Sequence, residues 1–437
     1  MKTLVVCSLV ASFFLAVSTP AYAQEISSAP TASAPVPSIA PDADPATATR
    51  AWLDTVPADK RAKSDAYFEG GYWLILWNFL MTTVVSLFLL NSRISARLRD
   101  MVERWTRFKT LQIILYAIPY LIIAALLHFP LNVYEGFFRE HKYGLATQTF
   151  GPWFTEQLKM FVIGMIGVAI LLAFLYPLFR KAPRTCWIWA TLVVTVFFLV
   201  SAFILPVFIE PIFNDYTPLE NPTIRDSILN LARANQIPVD KVFVVDASRQ
   251  TTRVSANVAG FLGTTRIALN DNLLNQCTLP EIRQVMGHEM GHYVLNHGMK
   301  LVIYFGLFFL VGFALIRWAY NASVQRWGGR WGVRDLADPA GLPLLVLLFN
   351  AYFFLITPIH NSAIRVTEAE ADIFGINAAR EPDGFAQVSL KLGTYRKLDP
   401  TPVEEFIFFD HPSGRARIRM AMDWKAAHLS CGSEAKP

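Results

Sequence analysis

Charge is what this sequence has least of. Asp, Glu, Lys and Arg make up 17% of its 437 residues, and hydrophobic residues 53%. A soluble enzyme of this length carries about 25% charge, so that class is excluded. Cysteine is scarce as well. Cys7, Cys186, Cys277 and Cys431 are the whole set, and no CxxC occurs. A cysteine zinc site and a dithiol redox function are thereby excluded. No solenoid-type repeat is present, and there is no acidic excess. The net charge is +5, and the basic residues cluster in short loops between apolar runs. That pattern fits contact with membrane lipids, not with nucleic acid.

The apolar runs are long. They predict six membrane spans, over about 72–90, 111–130, 159–179, 187–209, 300–319 and 342–359. Ahead of them, residues 1–23 read as a secretory signal: Lys2, an apolar stretch, then Ala21-Tyr22-Ala23. Residues 24–60 are rich in Ala, Pro, Ser and Thr and read as a disordered linker. The loop after the first span carries Arg93, Arg97, Arg99, Arg104, Arg107 and Lys109. The loop after the third carries Arg180, Lys181 and Arg184, and the loop after the fifth Arg326, Arg330 and Arg334. If the spans alternate, the three loops share one side. The positive-inside rule makes that side the cytoplasm of a bacterial inner membrane. The opposite, extracytoplasmic side then holds the chemistry.

That chemistry centres on His288-Glu289-Met290-Gly291-His292. Thr278 and Glu281 read as a capping box with Pro280 in the first turn, so a helix is expected. Residues four apart share a helix face, and His288 and His292 can therefore face one metal ion. Glu289 is placed to activate water and not to bind the metal. Two histidines and a carboxylate on an apolar helix are costly without a cation. Catalytic zinc needs a third protein ligand. Glu368 is the candidate, with Asp372 on the same face to orient a ligand histidine. Glu370 lies off that face and reads as solvated.

Between the fourth and fifth spans lies a soluble stretch. It predicts a helix from Pro222 to Asn235 with Asn221 as cap, a strand over Lys241–Asp246, and two strands around Gly260 and Gly263. A strand beside the motif helix can pair with an extended peptide. Near the C-terminus, His411 precedes Pro412. On spacing alone it is either a donor to an oxyanion or a surface histidine.

With these residues in view, the chain resembles the integral-membrane zinc metalloproteases of the CAAX prenyl protease 1 type. The resemblance spans about 111–425. Its landmarks are Glu140–Gly144, Gln148-Thr149, Ser255-Ala256-Asn257, Arg266–Asp271, the HExxH, Arg365 with Glu368 and Asp372, and His411-Pro412 with Arg417. It implies a mainly α-helical polytopic protein whose spans enclose a chamber, with a zincin-like domain containing a small sheet. It implies one zinc ion on His288, His292 and Glu368, with Glu289 as general base. It implies that Asn257 lines the substrate, and that His411 and Arg417 approach the site. Eukaryotic relatives cut C-terminal tripeptides from prenylated CAAX proteins, and also cut some unprenylated substrates.

Departures exist. Relatives carry a further span where this chain has its signal-like segment and linker. Ile364 stands where a serine is common. The expected organisation is 1–23 signal, 24–60 linker, 61–209 four-span membrane domain, 210–425 peptidase domain with two spans, and 426–437 tail. The expected activity is zinc endopeptidase action on membrane-associated or prenylated proteins, with envelope quality control as one role. The alternative is a catalytically silent chamber that binds lipid or apolar peptides around a structural zinc.

Overall fold

A backbone in lipid has to satisfy its own hydrogen bonds, so apolar runs of this length fold as helices. The computed structural model describes Pro37, residues 43–259 and residues 265–429. The signal-like segment 1–23, Gly260 and Gly263 lie outside the described residues.

Among the described residues, six helices are long and apolar enough to cross a membrane. A short helix, α1 (Pro45–Asp54), precedes them. The spans are α2 (Ala58–Asn91), α4 (Lys109–Tyr143), α5 (Phe150–Lys181), α6 (Cys186–Ile212), α10 (His297–Trp331) and α11 (Leu342–Ala379). Each expected span falls inside one of them. Between α2 and α4 lies α3 (Ile94–Trp105). Two spans loosen into π-helical turns, α4 over Tyr134–Arg139 and α6 over Leu205–Ile209.

The basic loops meet at one end of this bundle. Arg99 of α3 reaches Asp338 at 2.5 Å and donates to the Gly332 carbonyl at 2.8 Å. Arg334 forks onto Glu103 at 2.9 Å, and Arg317 donates to the Pro183 carbonyl at 2.9 Å. The loops after the first and fifth spans are thus tied together, and the loop after the third is tied to the fifth span itself.

The soluble part holds a four-stranded sheet in the order β1-β2-β4-β3. Its strands are β1 (Tyr216–Pro218), β2 (Val242–Val245), β3 (Ala256–Ala259) and β4 (Arg266–Asn270). β2 and β4 are parallel, the other pairs antiparallel. β1 was not legible in the sequence, being too short to show a period. The helices of this part are α7 (Pro222–Ala234), capped by Asn221, then α8 (Asp271–Gln276) and α9 (Leu279–Val294). After α11 come α12 (Pro382–Leu392), α13 (Pro402–Phe408) and α14 (Gly414–Leu429). Ile228, Leu269, Met286 and Met290 form the core that joins α7 and α9 to the sheet.

The expected linker over 24–60 needs correction. From Pro45 the chain is helical, and α2 already begins at Ala58. Asp44 caps α1 by accepting from the Thr47 amide at 3.0 Å. Trp52 and Leu53 are buried in one cluster with Ile418, Ala421 and Met422 of α14. Two large side chains suffice to dock a short helix, and the Ala/Pro/Thr composition around them masked it.

Between the spans and the soluble part lies a cavity of about 1740 Å³, lined from both. At its wall Glu140 of α4 accepts from Tyr67 of α2 at 2.6 Å and from Arg253, ahead of β3, at 2.6 Å. This buried pair fastens the bundle to the sheet.

Candidate active site

The motif helix forms as its sequence dictates. The Thr278–Glu281 capping box is present in both directions. Ile282, Met286 and Met290 are buried on its inner face. Its outer face is brought against α11 by two glycines. A Cβ on Gly287 would lie 2.9 Å from the Gly375 carbonyl oxygen, and one on Gly375 only 2.8 Å from the His288 amide nitrogen. Only residues without a Cβ permit that approach. It sets His288 against the acidic turn of α11.

Three side chains converge there. His288 Nε2 lies 3.1 Å from His292 Nε2 and 3.3 Å from Glu368 Oε2. His292 Nε2 lies 3.5 Å from Glu368 Oε1. Ligands about 2.0–2.1 Å from a tetrahedral zinc sit roughly 3.3 Å apart. The donor set therefore fits such an ion.

The outer atoms fix the inner ones. His288 Nδ1 donates to Asp372 Oδ1 at 2.8 Å, so that once the ring is neutral its lone pair lies on Nε2. His292 Nδ1 meets His297 Nδ1 at 2.9 Å, and His297 Nε2 lies 2.9 Å from Glu370 Oε2. If His297 donates to Glu370, its Nδ1 accepts from His292 and frees the His292 Nε2 lone pair. Two imidazole lone pairs and a carboxylate then face one another. Such acceptors repel unless a cation lies between them.

Glu289 lines the cavity beside this cluster. Burial, partly opposed by the charge on His288, pushes its pKa up to about 7. A carboxyl group poised near neutrality suits general acid–base work. His411 also reaches the cluster. Its Nε2 lies 3.2 Å from Glu368 Oε2, and its Nδ1 donates to Asp410 at 2.7 Å. Burial and then the Arg396 guanidinium hold its pKa below the usual histidine range.

Arg417 is buried at the site, but its contacts are with acidic groups. Nε donates to Asp372 at 2.7 Å, and Nη2 lies 3.5 Å from Glu368. Asn257 lies on β3, an edge strand that packs beside α9 and lines the cavity. Its Oδ1 is buried without a partner. His288, Glu289, His292, Glu368, Asp372, Asn257, His411 and Arg417 thus border one cavity.

Sequence reasoning missed His297 and Asp410. His297 follows Asn296, whose φ of 53° ends α9 and turns the chain back. Asparagine tolerates that left-handed conformation better than most residues, and this was the available signal. Glu370 reaches solvent, as read, and it also has partners. It pairs with His297 and, at 2.6 Å, with Lys300.

Comparison with known proteins gives a consistent result. Residues 218–425 match the model of peptidase family M48. Residues 46–215 match a model described as the CAAX prenyl protease N-terminal region with five membrane helices. Among the described residues of that stretch, four such helices occur: α2, α4, α5 and α6. The uncharacterised metalloprotease YhfN of Bacillus subtilis is 32% identical over 76% of this chain and 78% of its own. CAAX prenyl protease 1 of Saccharomyces cerevisiae is 30% identical over 69% of this chain and 70% of its own. The crystal structure of S. mikatae Ste24p superposes with a TM-score of 0.69 at 23% identity, covering 84% of this chain and 90% of that one.

Proposed function

The chain belongs to the CAAX prenyl protease 1 type of membrane metalloprotease within peptidase family M48, and from that premise we propose how and on what it acts. His288, His292 and Glu368 hold one zinc ion. Bound there, zinc supplies Lewis acidity toward the scissile carbonyl and the attacking water. Glu289 takes a proton from that water and passes it to the leaving amine. Asp372 keeps His288 in the ligating tautomer, and Arg417 donates to Asp372 and lies against Glu368, holding both carboxylates in place. His411, its Nδ1–H held by Asp410, can donate from Nε2 to the developing oxyanion only in its protonated form. The open edge of β3 receives the substrate backbone as an added strand.

The observation that carries this reading is the convergence of the His288, His292 and Glu368 acceptors on one point. The substrates are membrane-associated proteins or peptides, prenylated CAAX ends included. The basic loops gathered opposite the site support an extracytoplasmic catalytic end in a bacterial inner membrane. In that setting envelope quality control is the fitting role.

The test is cleavage in detergent of a farnesylated CAAX peptide and its unprenylated twin by wild type and Glu289→Gln. The wild type should cut. The variant should keep its zinc and lose about 10²–10⁴-fold in rate. Undiminished cleavage by Glu289→Gln would sink the mechanism. A reporter joined after Pro437 that works only in the cytoplasm would overturn the orientation.

A further inference from the structure

The β3 edge proposed to receive the peptide is short. β3 has four residues, pairs among the described strands with β4 alone, and packs beside α9. Such a strand takes its position from the segment that leads into it. That segment, residues 251–255, is held from two sides. On the soluble side, Asn270 Nδ2 donates to the Arg253 carbonyl at 2.7 Å, and the Ser255 amide donates to Asn270 Oδ1 at 3.0 Å. On the membrane side, Thr251 Oγ1 donates to the carbonyl of Leu145, just past the end of α4, at 3.0 Å. Thr251 also forms an antiparallel bridge with Ala146.

Side chains tighten the membrane side of this hold. Arg253 Nη2 donates to Glu140 Oε2 at 2.6 Å and to the Tyr67 hydroxyl at 2.8 Å. The hydroxyl donates in turn to Glu140 Oε1 at 2.6 Å, so both carboxylate oxygens are engaged. Arg139 covers the Tyr67 ring at 3.9 Å from its centroid and lies 3.8 Å from Glu140. Charge-assisted bonds closed into a triangle leave the guanidinium little play. Tyr67 and Glu140 belong to the spans α2 and α4. Arg253 stands only four residues ahead of Asn257, about 13 Å of extended chain. A shift at Arg253 therefore reaches the strand almost undiminished, and a misplacement of about 1 Å can cost about 10²-fold in rate.

We propose that Arg253 is a positioning residue: locked to Glu140 and Tyr67, it sets the edge of β3 against the motif helix α9, so that the spans fix the line along which a substrate backbone lies. The inference rests on the reading of β3 as the substrate strand and adds what holds that strand in place. Arg253 acts through β3 and not on the reacting atoms.

The experiment uses the full chain as zinc-loaded Glu289→Gln protein in detergent and reads peptide binding by fluorescence anisotropy. The probes are a farnesylated CAAX peptide and a twin whose backbone amides ahead of the cut are N-methylated, so that they cannot donate to a strand. The plain peptide should bind about tenfold tighter, the worth of one or two net hydrogen bonds. Adding Glu140→Gln together with Arg253→Gln removes both charges and leaves no orphaned buried ion. In that protein the ratio of the two affinities should fall to about one, with zinc stoichiometry unchanged. Arg253→Lys, with Glu140 intact, should keep part of the ratio. Tyr67→Phe loses two bonds and no charge. It should lower the ratio about threefold, and it carries the test if the double change does not fold.

A role in stability alone would weaken both peptides alike and leave the ratio where it was. An undiminished ratio in a folded variant therefore overturns the proposal while the substrate strand stands. Equal binding of the two peptides by the Glu289→Gln parent, or binding of neither, removes the substrate strand itself and the inference with it. In proteins that keep Glu289, the preference in kcat/KM for the plain peptide should fall in the same variants. A ratio that behaves as expected in binding, without cleavage by the wild type, would leave Arg253 in its role and remove the peptidase mechanism.

Discussion

His292 and His297 meet through their Nδ1 atoms, 2.9 Å apart, across the break between α9 and α10. The contact fixes the ring that presents Nε2 to the metal site, and it begins a chain that continues to Glu370 and Lys300. Removing such an outer partner costs about 10–100-fold in metal affinity. His297→Ala should therefore lose zinc to a competing chelator about 10–100 times more readily than wild type. Thermal unfolding of the loaded protein should move little. Unchanged chelator competition would reduce His297 to a packing residue.

Metal loading should depend on pH, with a definite sign. Without metal, burial works against the charge on His288, but Asp372 and Glu368 outweigh it and push its pKa up to about 10. His292 is instead lowered to about 4, by burial and by the charge on His288. Only His288 must then lose a proton to become a ligand. Below its pKa that proton competes with the metal, so affinity should rise about tenfold per unit from about pH 6 to 9. Calorimetry in two buffers should find about one proton released per zinc at pH 7. Uptake without proton release would contradict this geometry.

Gly287 and Gly375 set the distance between the two helices that carry the ligands. Gly287→Ala forces its Cβ against the Gly375 carbonyl. A cost of about 1–3 kcal/mol is expected, as for overpacking elsewhere. The shift falls on His288, the next residue, so zinc stoichiometry should drop with stability. A variant with full zinc and an unchanged melting temperature would separate this contact from the site.

These contrasts explain what the sequence could and could not disclose. The six spans were legible because apolar length is a local property. The shared faces of His288 with His292 and of Glu368 with Asp372 were legible because helix spacing is local too. His297 was not, because its role depends on one backbone turn at Asn296. Arg253 and Glu140 were not paired in advance, since the contact joins distant parts of the chain. α1 was hidden because burial of Trp52 is decided by α14, far along the sequence.

The docking of α1 can be tested directly. Trp52 is fully buried, and truncating such a side chain costs about 3–5 kcal/mol. A short helix cannot absorb that loss by itself. Trp52→Ala should release α1 from α14 and expose the Pro45–Asp54 segment to limited proteolysis, while the zinc site stays loaded. Proteolysis no faster than in wild type would mean that α1 is held by something other than this ring.

The cavity carries one more consequence. At about 1740 Å³ it exceeds the roughly 300–1,000 Å³ of ordinary small-molecule pockets. It is still too small for a folded domain, since even 100 residues have a radius of gyration of about 13 Å. Space of that size therefore selects for conformation before any side chain is read. A tail, a loop or an unfolded stretch can enter, whereas a folded globule stays outside whatever its sequence.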